Sequence, residues 1–101
     1  MSSNPVAKRL KLARQSAGLS QKELGIRAGI DEFSASPRIN QYEKGKHTPD
    51  YTTLVQLGTV LNAPVPYFFC EDDLLAEMIL RFGTLQRQEQ QKLLKSLPGG
   101  K

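Results

Sequence analysis

Basic side chains in two short stretches of the first half of the chain could bind a polyanion. The first stretch holds Lys8, Arg9, Lys11 and Arg14, and the second holds Lys44, Lys46 and His47. Residues 1–50 carry nine Lys and Arg against five Asp and Glu, whereas the remaining residues carry five of each, so the net charge of +4 arises in the first half. Closely spaced cations pair with phosphates, which makes nucleic acid a candidate partner. A solvated charged surface explains the same residues equally well, so their positions in the fold must decide.

The residues that catalysis or metal binding requires are sparse. His47 is the single histidine and Cys70 the single cysteine, so neither a Ser-His-Asp set nor a clustered Cys/His metal site can be assembled. Asp72 and Asp73 are adjacent carboxylates of the kind that begin a helix. We therefore expect no enzyme, no metal and no cofactor. We expect Cys70 to be buried or half-buried and His47 to be an exposed loop residue, with a phosphate contact as the alternative for His47.

The length and composition fit one small soluble domain. A chain of 101 residues can bury a core without disulfides or metal. The longest apolar run, residues 65–70, contains Pro66 and is much shorter than the ~20 residues that span a membrane. With a single cysteine and no secretion signal after Met1, we expect a cytoplasmic protein that does not bind a membrane.

Helical periodicity runs through most of the chain, and strand-like alternation is missing, so we predict an all-α fold. The predicted helices cover residues 6–17, 21–28 and 37–44, a segment capped by Asp50 that ends near Asn62, a short turn after Pro66, an apolar stripe over 74–82, and a last helix reaching Leu97. Ser20 and Glu23 form the pattern of a capping box. The aromatic residues 67–69 are expected in the core, together with Tyr51, whereas Lys8 and Arg9 are expected on the outer side of the first helix.

Ser36 and Pro37 have the residue types of a helix cap and a first helical position, and they define the predicted start of the third helix. If Ile39 points inward, Pro37, Gln41 and Lys44 point outward, and Arg38 and Asn40 flank them. The outward face is therefore short, polar and basic. Arg14 borders the apolar face of the first helix, so it should meet a carboxylate partner when that helix packs.

Several motifs occur in a fixed order along the first 70 residues. They are Leu19-Ser-Gln-Lys-Glu-Leu24, Ala28-Gly29-Ile30, Ile39-Asn-Gln-Tyr-Glu-Lys-Gly-Lys46 and Pro49. This order resembles the helix-turn-helix domain of the phage Cro and lambda-repressor-like family, also called Xre-type regulators, over about residues 6–69. The resemblance implies a five-helix domain with one or two extra C-terminal helices, double-stranded DNA as partner, and a prokaryotic or phage source.

In this family the third helix enters the DNA major groove and the second helix crosses the backbone. The resemblance assigns base reading to Ser36, Pro37 and Gln41, with Arg38 and Asn40 beside them, and phosphate binding to Gln21, Lys44 and Lys46. It also pairs Arg14 with Glu43 as a structural salt bridge. Gln41 can pair bidentately with adenine, Arg38 can bind guanine or a phosphate, and Pro37 offers only an apolar contact.

The chain departs from the family pattern by about four extra residues, approximately Asp31-Glu32-Phe33-Ser34, before the third helix. Acidic residues near DNA would repel phosphate, so they either point away, cap the helix, or accompany a different docking angle. We expect Phe33 to be an additional core residue, with a wedge or a partner contact as the alternative.

The stripe formed by Leu74, Leu75, Met78, Ile79 and Phe82 is either additional core or a dimer surface, and we favour a homodimer. We therefore expect a DNA-binding domain in residues 1–70, a C-terminal helical extension in 71–97 and a disordered tail in 98–101. The expected function is a transcriptional regulator, a repressor that binds a near-palindromic operator as a dimer. The alternative is a protein-interaction module, such as an antitoxin or adaptor, with an unidentified protein partner.

Overall fold

The computed structural model describes residues 4–100, and within them the chain forms seven α-helices and no strand. The helices are α1 (Val6–Ser16), α2 (Gln21–Arg27), α3 (Glu32–Glu43), α4 (Tyr51–Leu61), α5 (Val65–Phe68), α6 (Asp73–Thr84) and α7 (Arg87–Ser96). The predicted all-α class is confirmed, and two helices follow the five-helix domain. Residues 1–3, predicted to begin the DNA-binding domain, and Lys101, predicted to lie in the tail, are outside the described residues.

Helix α2 begins and ends close to the positions that the sequence predicts. The Ser20 hydroxyl accepts a hydrogen bond from the Glu23 N–H at 3.0 Å, and the Glu23 carboxylate accepts one from the Ser20 N–H at 2.8 Å. The helix ends before Gly29, whose φ of +93° is a left-handed conformation that favours glycine. The predicted capping box and glycine stop are both present.

The start of α3 differs from the prediction. Asp31 is the N-cap, with its carboxylate accepting a hydrogen bond from the Phe33 N–H at 3.0 Å, so the helix begins at Glu32 rather than at Pro37. Ser36 and Pro37 lie inside the helix, where proline lacks the N–H that would bond to the carbonyl four residues earlier. The helix continues through this position because its first turns pack tightly against α2, where Ala35 is fully buried. The extra residues therefore add one turn to the third helix.

The core lies among the first five helices. Leu10 of α1, Leu24 of α2, Ile39 of α3, Leu57 of α4 and Phe68 of α5 are all fully buried. Each of these helices thus directs an apolar side chain to a shared interior, which holds α2 and α3 in a fixed relative orientation. Burial of this kind is the main source of stability in a domain of this size.

Arg9 is buried, with 3% of its surface exposed, contrary to its predicted place on the outer side of α1. Its Nε donates to the Cys70 carbonyl at 2.7 Å, and its Nη2 donates to the Glu71 carbonyl at 3.0 Å and lies 2.9 Å from Asp73 Oδ1. The guanidinium also lies 5.8 Å from the centre of the Tyr67 ring. These bonds satisfy the buried charge and fasten the α5–α6 segment to α1, so Arg9 is not available to a polyanion.

Two aromatic residues are exposed where the sequence predicts burial. Tyr67 and Phe68 enter the core, but Phe69 is exposed, because a single helical turn directs consecutive side chains to different sides. Tyr51 is also exposed, at the first position of α4. Cys70 is buried and His47 is exposed, as predicted.

The last two helices extend from the five-helix body. Asp72 caps α6 by accepting a hydrogen bond from the Leu75 N–H at 2.9 Å, and the helix continues through Gly83, where the sequence predicts an interruption. The Gln90 side chain joins α7 to α6 through the Phe82 carbonyl at 2.8 Å. Residues 98–100 follow α7 as a turn and a short irregular end. None of the helices in residues 4–100 has the length and apolarity needed to traverse a lipid bilayer.

Candidate nucleic-acid interface

The outer face of α3, defined here as Phe33, Pro37, Gln41 and Lys44, is exposed to solvent along the length of the helix. At 3.6 residues per turn, these four side chains point about 120° to 160° away from Ile39, which enters the core. The Phe33, Pro37 and Gln41 side chains are spaced about one helical turn apart. The face therefore presents an apolar first half and a polar, basic second half.

Phe33 is 88% exposed, so its expected role as an additional core residue is wrong. The inner side of α3 is occupied by Ala35 and Ile39, both fully buried, and Phe33 points about 120° away from Ile39. The helical turn that the extra residues create therefore carries a phenyl ring outward.

The two flanks of the outer face have different surroundings. Arg38 is exposed and lines a shallow groove between α3 and the start of α4, together with His47 and Asp50. The Asp50 carboxylate accepts a hydrogen bond from the Thr53 N–H at 2.8 Å, and this bond holds the pKa of Asp50 below its ordinary value. The groove thus combines a guanidinium and an imidazole with a carboxylate that caps α4.

On the opposite flank, Asn40 is hydrogen-bonded to α2. The Gln21 amide nitrogen donates to Asn40 Oδ1 at 3.2 Å and to Glu43 Oε1 at 3.1 Å, so both of its N–H groups are engaged. The Gln21 side chain therefore has no donor left for a phosphate, and its backbone N–H at the start of α2 is the group that can meet one. Ser36 is half-buried on the same side of α3 as Asn40.

Gln41 differs from Asn40 in its accessibility. It is exposed, and its side chain makes no hydrogen bond to any residue in the range 4–100. A bidentate contact to adenine needs both the amide oxygen and the amide nitrogen. Among the base-reading residues that the sequence predicts, Gln41 thus has the geometry best suited to that contact, whereas Asn40 shares its oxygen with Gln21.

Arg14 and Glu43 form an ion pair between α1 and α3. Arg14 Nε donates to Glu43 Oε2 at 2.6 Å and Nη2 donates to Oε1 at 3.0 Å, and the two side chains are only 13% and 3% exposed. Nη1 also donates to the Leu19 carbonyl at 2.9 Å. The hydrogen bond to Glu43 raises the pKa of Arg14. The pair connects three helices, because Glu43 also accepts from Gln21 of α2.

Two exposed lysines are positioned by the way α3 ends. Gly45 has a φ of +74°; its N–H donates to the Tyr42 carbonyl at 3.2 Å, and the Lys46 N–H donates to the Gln41 carbonyl at 3.0 Å. This pair of bonds is the Schellman motif, which fixes the chain as it leaves the helix. The chain therefore leaves α3 in a fixed direction, with Lys44 at the end of the outer face and Lys46 two residues after it.

The acidic residues of the added turn are accounted for by local contacts. Asp31 caps α3, which is one of the three arrangements that the sequence leaves open. Glu32 lies 3.8 Å from the ammonium group of Lys22 on α2, and both side chains are exposed. An ion pair this exposed contributes little stability, but it brings a cation beside the carboxylate at the start of α3.

The apolar stripe of α6 divides into two parts. Leu74, Leu75 and Met78 are exposed, with Leu74 reaching 80%, whereas Ile79 and Phe82 are half-buried. Ile79 packs against the core cluster. The exposed part, together with Asp72 and Arg81, lines a broad open depression.

The sequence favours the core for Phe33, with an outward contact only as the alternative, and it does not indicate that Arg9 is buried. Phe33 lies four residues before Pro37, so the i, i+4 spacing would have placed it on the outer face if the helix had been extended backward. For Arg9, no signal in its own neighbourhood indicates burial, because its partners lie more than 60 residues away.

Comparisons with known proteins agree with this geometry. Residues 6–66 match the family model described as a helix-turn-helix domain. The chain is similar to the crystal structure of the transcriptional regulator BswR, with a TM-score of 0.82, 47% sequence identity and coverage of 89% of each chain.

Two curated relatives from bacteria carry related names. An uncharacterized HTH-type transcriptional regulator of Sinorhizobium medicae (strain WSM419) is 36% identical over 64 residues, which are 63% of this chain and 43% of the relative. The HTH-type transcriptional regulator ImmR of Bacillus subtilis (strain 168) is 34% identical over 68 residues, which are 67% of this chain and 50% of ImmR. The chain thus spans about half the length of the curated relatives it matches.

Proposed function

This chain belongs to the helix-turn-helix domain family of transcriptional regulators, as its resemblance to Xre-type proteins suggested, and from this premise we propose that it represses transcription by binding a near-palindromic operator as a homodimer. No catalytic step and no cofactor take part in this activity. The site of action is the cytoplasm, where bacterial DNA lies.

The observation that carries the proposal is the exposed amide of Gln41 on the outer face of α3, which bonds to no residue in the range 4–100, with Lys44 at the end of that face and Lys46 two residues later. An α-helix fits the major groove of B-DNA, and base edges there are distinguished by side chains of this kind. We assign base reading to Gln41 and Pro37, a guanine or phosphate contact to Arg38, and supporting positions to Ser36 and Asn40.

Phosphate contacts fix the register of such a domain on the duplex without reading its sequence. We assign them to Lys44, Lys46 and the backbone N–H of Gln21. The ion pair of Arg14 with Glu43 keeps these groups together, because it joins α1 to the end of α3 at a place where Gln21 of α2 also bonds.

Dimerisation is proposed through α6. Leu74, Leu75 and Met78 expose apolar surface on one side of the helix, while Ala76 and Ile79 anchor the other side to the core. We therefore assign DNA binding to residues 1–70, dimerisation to the extension 71–97 and a terminal tail to 98–101. Two copies would place two α3 helices in successive major grooves about 34 Å apart, and a dimer seated there excludes other proteins from the same DNA.

A second candidate function is protein interaction. Leu94 of α7 and Leu97, the residue that follows α7, are exposed at the end of the C-terminal extension, where they would suit an apolar surface of another protein. An antitoxin or adaptor would use the same helices without requiring base contacts from α3.

The proposal is tested by titrating DNA with substituted proteins. The probe is a duplex carrying the site that the wild-type protein enriches from random DNA. Gln41→Ala should lose about fivefold to a hundredfold of its discrimination at one base pair. Lys46→Ala should weaken binding to all duplexes alike and reduce the salt slope by about 1.

Lys92→Ala on α7 is the matched control for the loss of one exposed charge. A double variant, Arg38→Ala with Gln41→Ala, that keeps the wild-type sequence preference would contradict the placement of the reading residues on α3.

A further inference from the structure

Phe33 is a large apolar side chain that the core does not use. Single exposed apolar residues are common on protein surfaces, so exposure alone does not indicate a role. The position of Phe33 does indicate a role. Phe33 is the second residue of α3 and lies on the same line along the helix as Pro37 and Gln41. It extends the outer face by about 6 Å, one turn toward the start of the helix.

The backbone that carries Phe33 is well anchored. Its N–H donates to the Asp31 carboxylate at 3.0 Å, and the next N–H, of Ser34, donates to the Asp31 carbonyl at 3.0 Å. Ala35, two residues later, is fully buried where α3 crosses α2 at Gly25. The phenyl ring therefore projects from an ordered helical turn rather than from a loose loop.

We propose that Phe33 contacts thymine methyl groups in the major groove and so selects thymine at a base pair other than the one that Gln41 reads, because Gln41 lies two turns, about 12 Å, farther along α3. This inference rests on the proposed DNA-binding function. The residues of a recognition helix that contact base edges include those at its N-terminus, and Phe33 is the second residue of α3. The C5-methyl of thymine is the apolar group presented in the major groove, and a phenyl ring has no donor or acceptor for the other base edges.

The charges around Phe33 do not attract phosphate. Asp31 and Glu32 precede it and Lys22 lies 3.8 Å from Glu32, so these three side chains carry a net charge of −1. Phe33 therefore adds selectivity for thymine without releasing counterions, and it contributes nothing to the salt dependence of binding.

The test compares thymine with deoxyuracil, which differs from thymine by the methyl group alone. The duplex carries the site that the wild-type protein enriches, and each thymine is replaced singly. Wild-type protein should bind about three- to tenfold more weakly when the contacted thymine is replaced. Phe33→Ala should bind both duplexes alike, with an unchanged salt slope, and Phe33→Leu should keep part of the difference.

Phe69→Ala, which removes an exposed phenyl ring at the end of α5 rather than on α3, is the matched control and should keep the full wild-type difference. The inference is overturned if the wild-type protein binds every uracil duplex as tightly as the thymine duplex, or if Phe33→Ala keeps the difference. In either case selective DNA binding itself remains, whereas failure to enrich any site would remove the proposed function as well.

Discussion

Gly25 of α2 and Ala35 of α3 lie so close together that a Cβ atom added to Gly25 would be 2.6 Å from the Ala35 Cβ and 2.9 Å from its Cα. The two helices therefore cross at a point where only a residue without a side chain fits on α2. This crossing sets how far the outer face of α3 projects beyond α2. It also explains why α3 remains helical on both sides of Pro37, because Ala35 is held there from outside the helix.

Gly25→Ala should destabilise the protein. The added methyl group meets backbone as well as a side chain, so the helices must separate, and overpacking of this kind costs about 1–3 kcal/mol. We expect the free energy of unfolding in urea to fall by that amount. Gly83→Ala in α6 is the control, since its Cβ would lie 3.1 Å from the Pro64 ring rather than from backbone. Equal losses in the two variants would contradict the close crossing.

Arg14→Met should destabilise by about 3–5 kcal/mol, because it leaves the carboxylate of Glu43 buried without its cation. Adding Glu43→Leu should recover a large part of that loss, since the uncompensated charge is then removed. Chemical denaturation of the two single variants and the double variant measures the coupling. If the stability losses of the two single variants add up to the loss of the double variant, Arg14 and Glu43 are not coupled as a buried ion pair.

Asp73 should make stability depend on pH in acid. Hydrogen bonds from Arg9 and then from Lys8 hold its pKa below the ordinary value of about 3.9. A carboxyl group with a lowered pKa in the folded state stabilises that state at higher pH, and the contribution is lost as the pH falls through the folded pKa.

The difference in free energy of unfolding between wild type and Asp73→Asn should therefore be constant above about pH 5 and shrink below about pH 4. Glu71→Gln is the control, because Glu71 meets Arg9 through its backbone carbonyl. A difference that does not change with pH would show that the Asp73 charge is not responsible.

Leu74→Glu with Met78→Glu should convert a dimer into a folded monomer. Both side chains are exposed on α6, so two added charges would be tolerated by the monomer but not at an apolar interface. Sedimentation gives the mass and circular dichroism the helix content. Lys92→Glu on α7 is the control for an added negative charge, because Lys92 is exposed and does not line the depression on α6. A wild-type protein that is monomeric at all concentrations would contradict the proposed dimer.

Much of this fold follows from local signals. The cap at Ser20, the stop at Gly29 and the cap at Asp50 depend on residues a few positions apart, and the structure has each one where the sequence predicts it. The need of Arg14 for a carboxylate was also visible, because a guanidinium beside an apolar helix face must be compensated when the helix packs.

The remaining features depend on contacts between distant parts of the chain. Pro37 has the residue type of a helix start, and only the packing of Ala35 on Gly25 shows that the helix begins earlier. Arg9 has an ordinary surface sequence, and its burial depends on carbonyl groups that arrive with the α5–α6 segment. The outward direction of Phe33 follows once the start of α3 is corrected.

The central claim is that the outer face of α3 reads DNA sequence. Selection of binding sites from a random duplex library, followed by titration of the best site at two salt concentrations, tests it most directly. We expect a two-fold symmetric motif with half-sites about 10 base pairs apart and binding that weakens steeply with salt. Weak binding without any enriched sequence would contradict the claim and would favour the protein-interaction alternative.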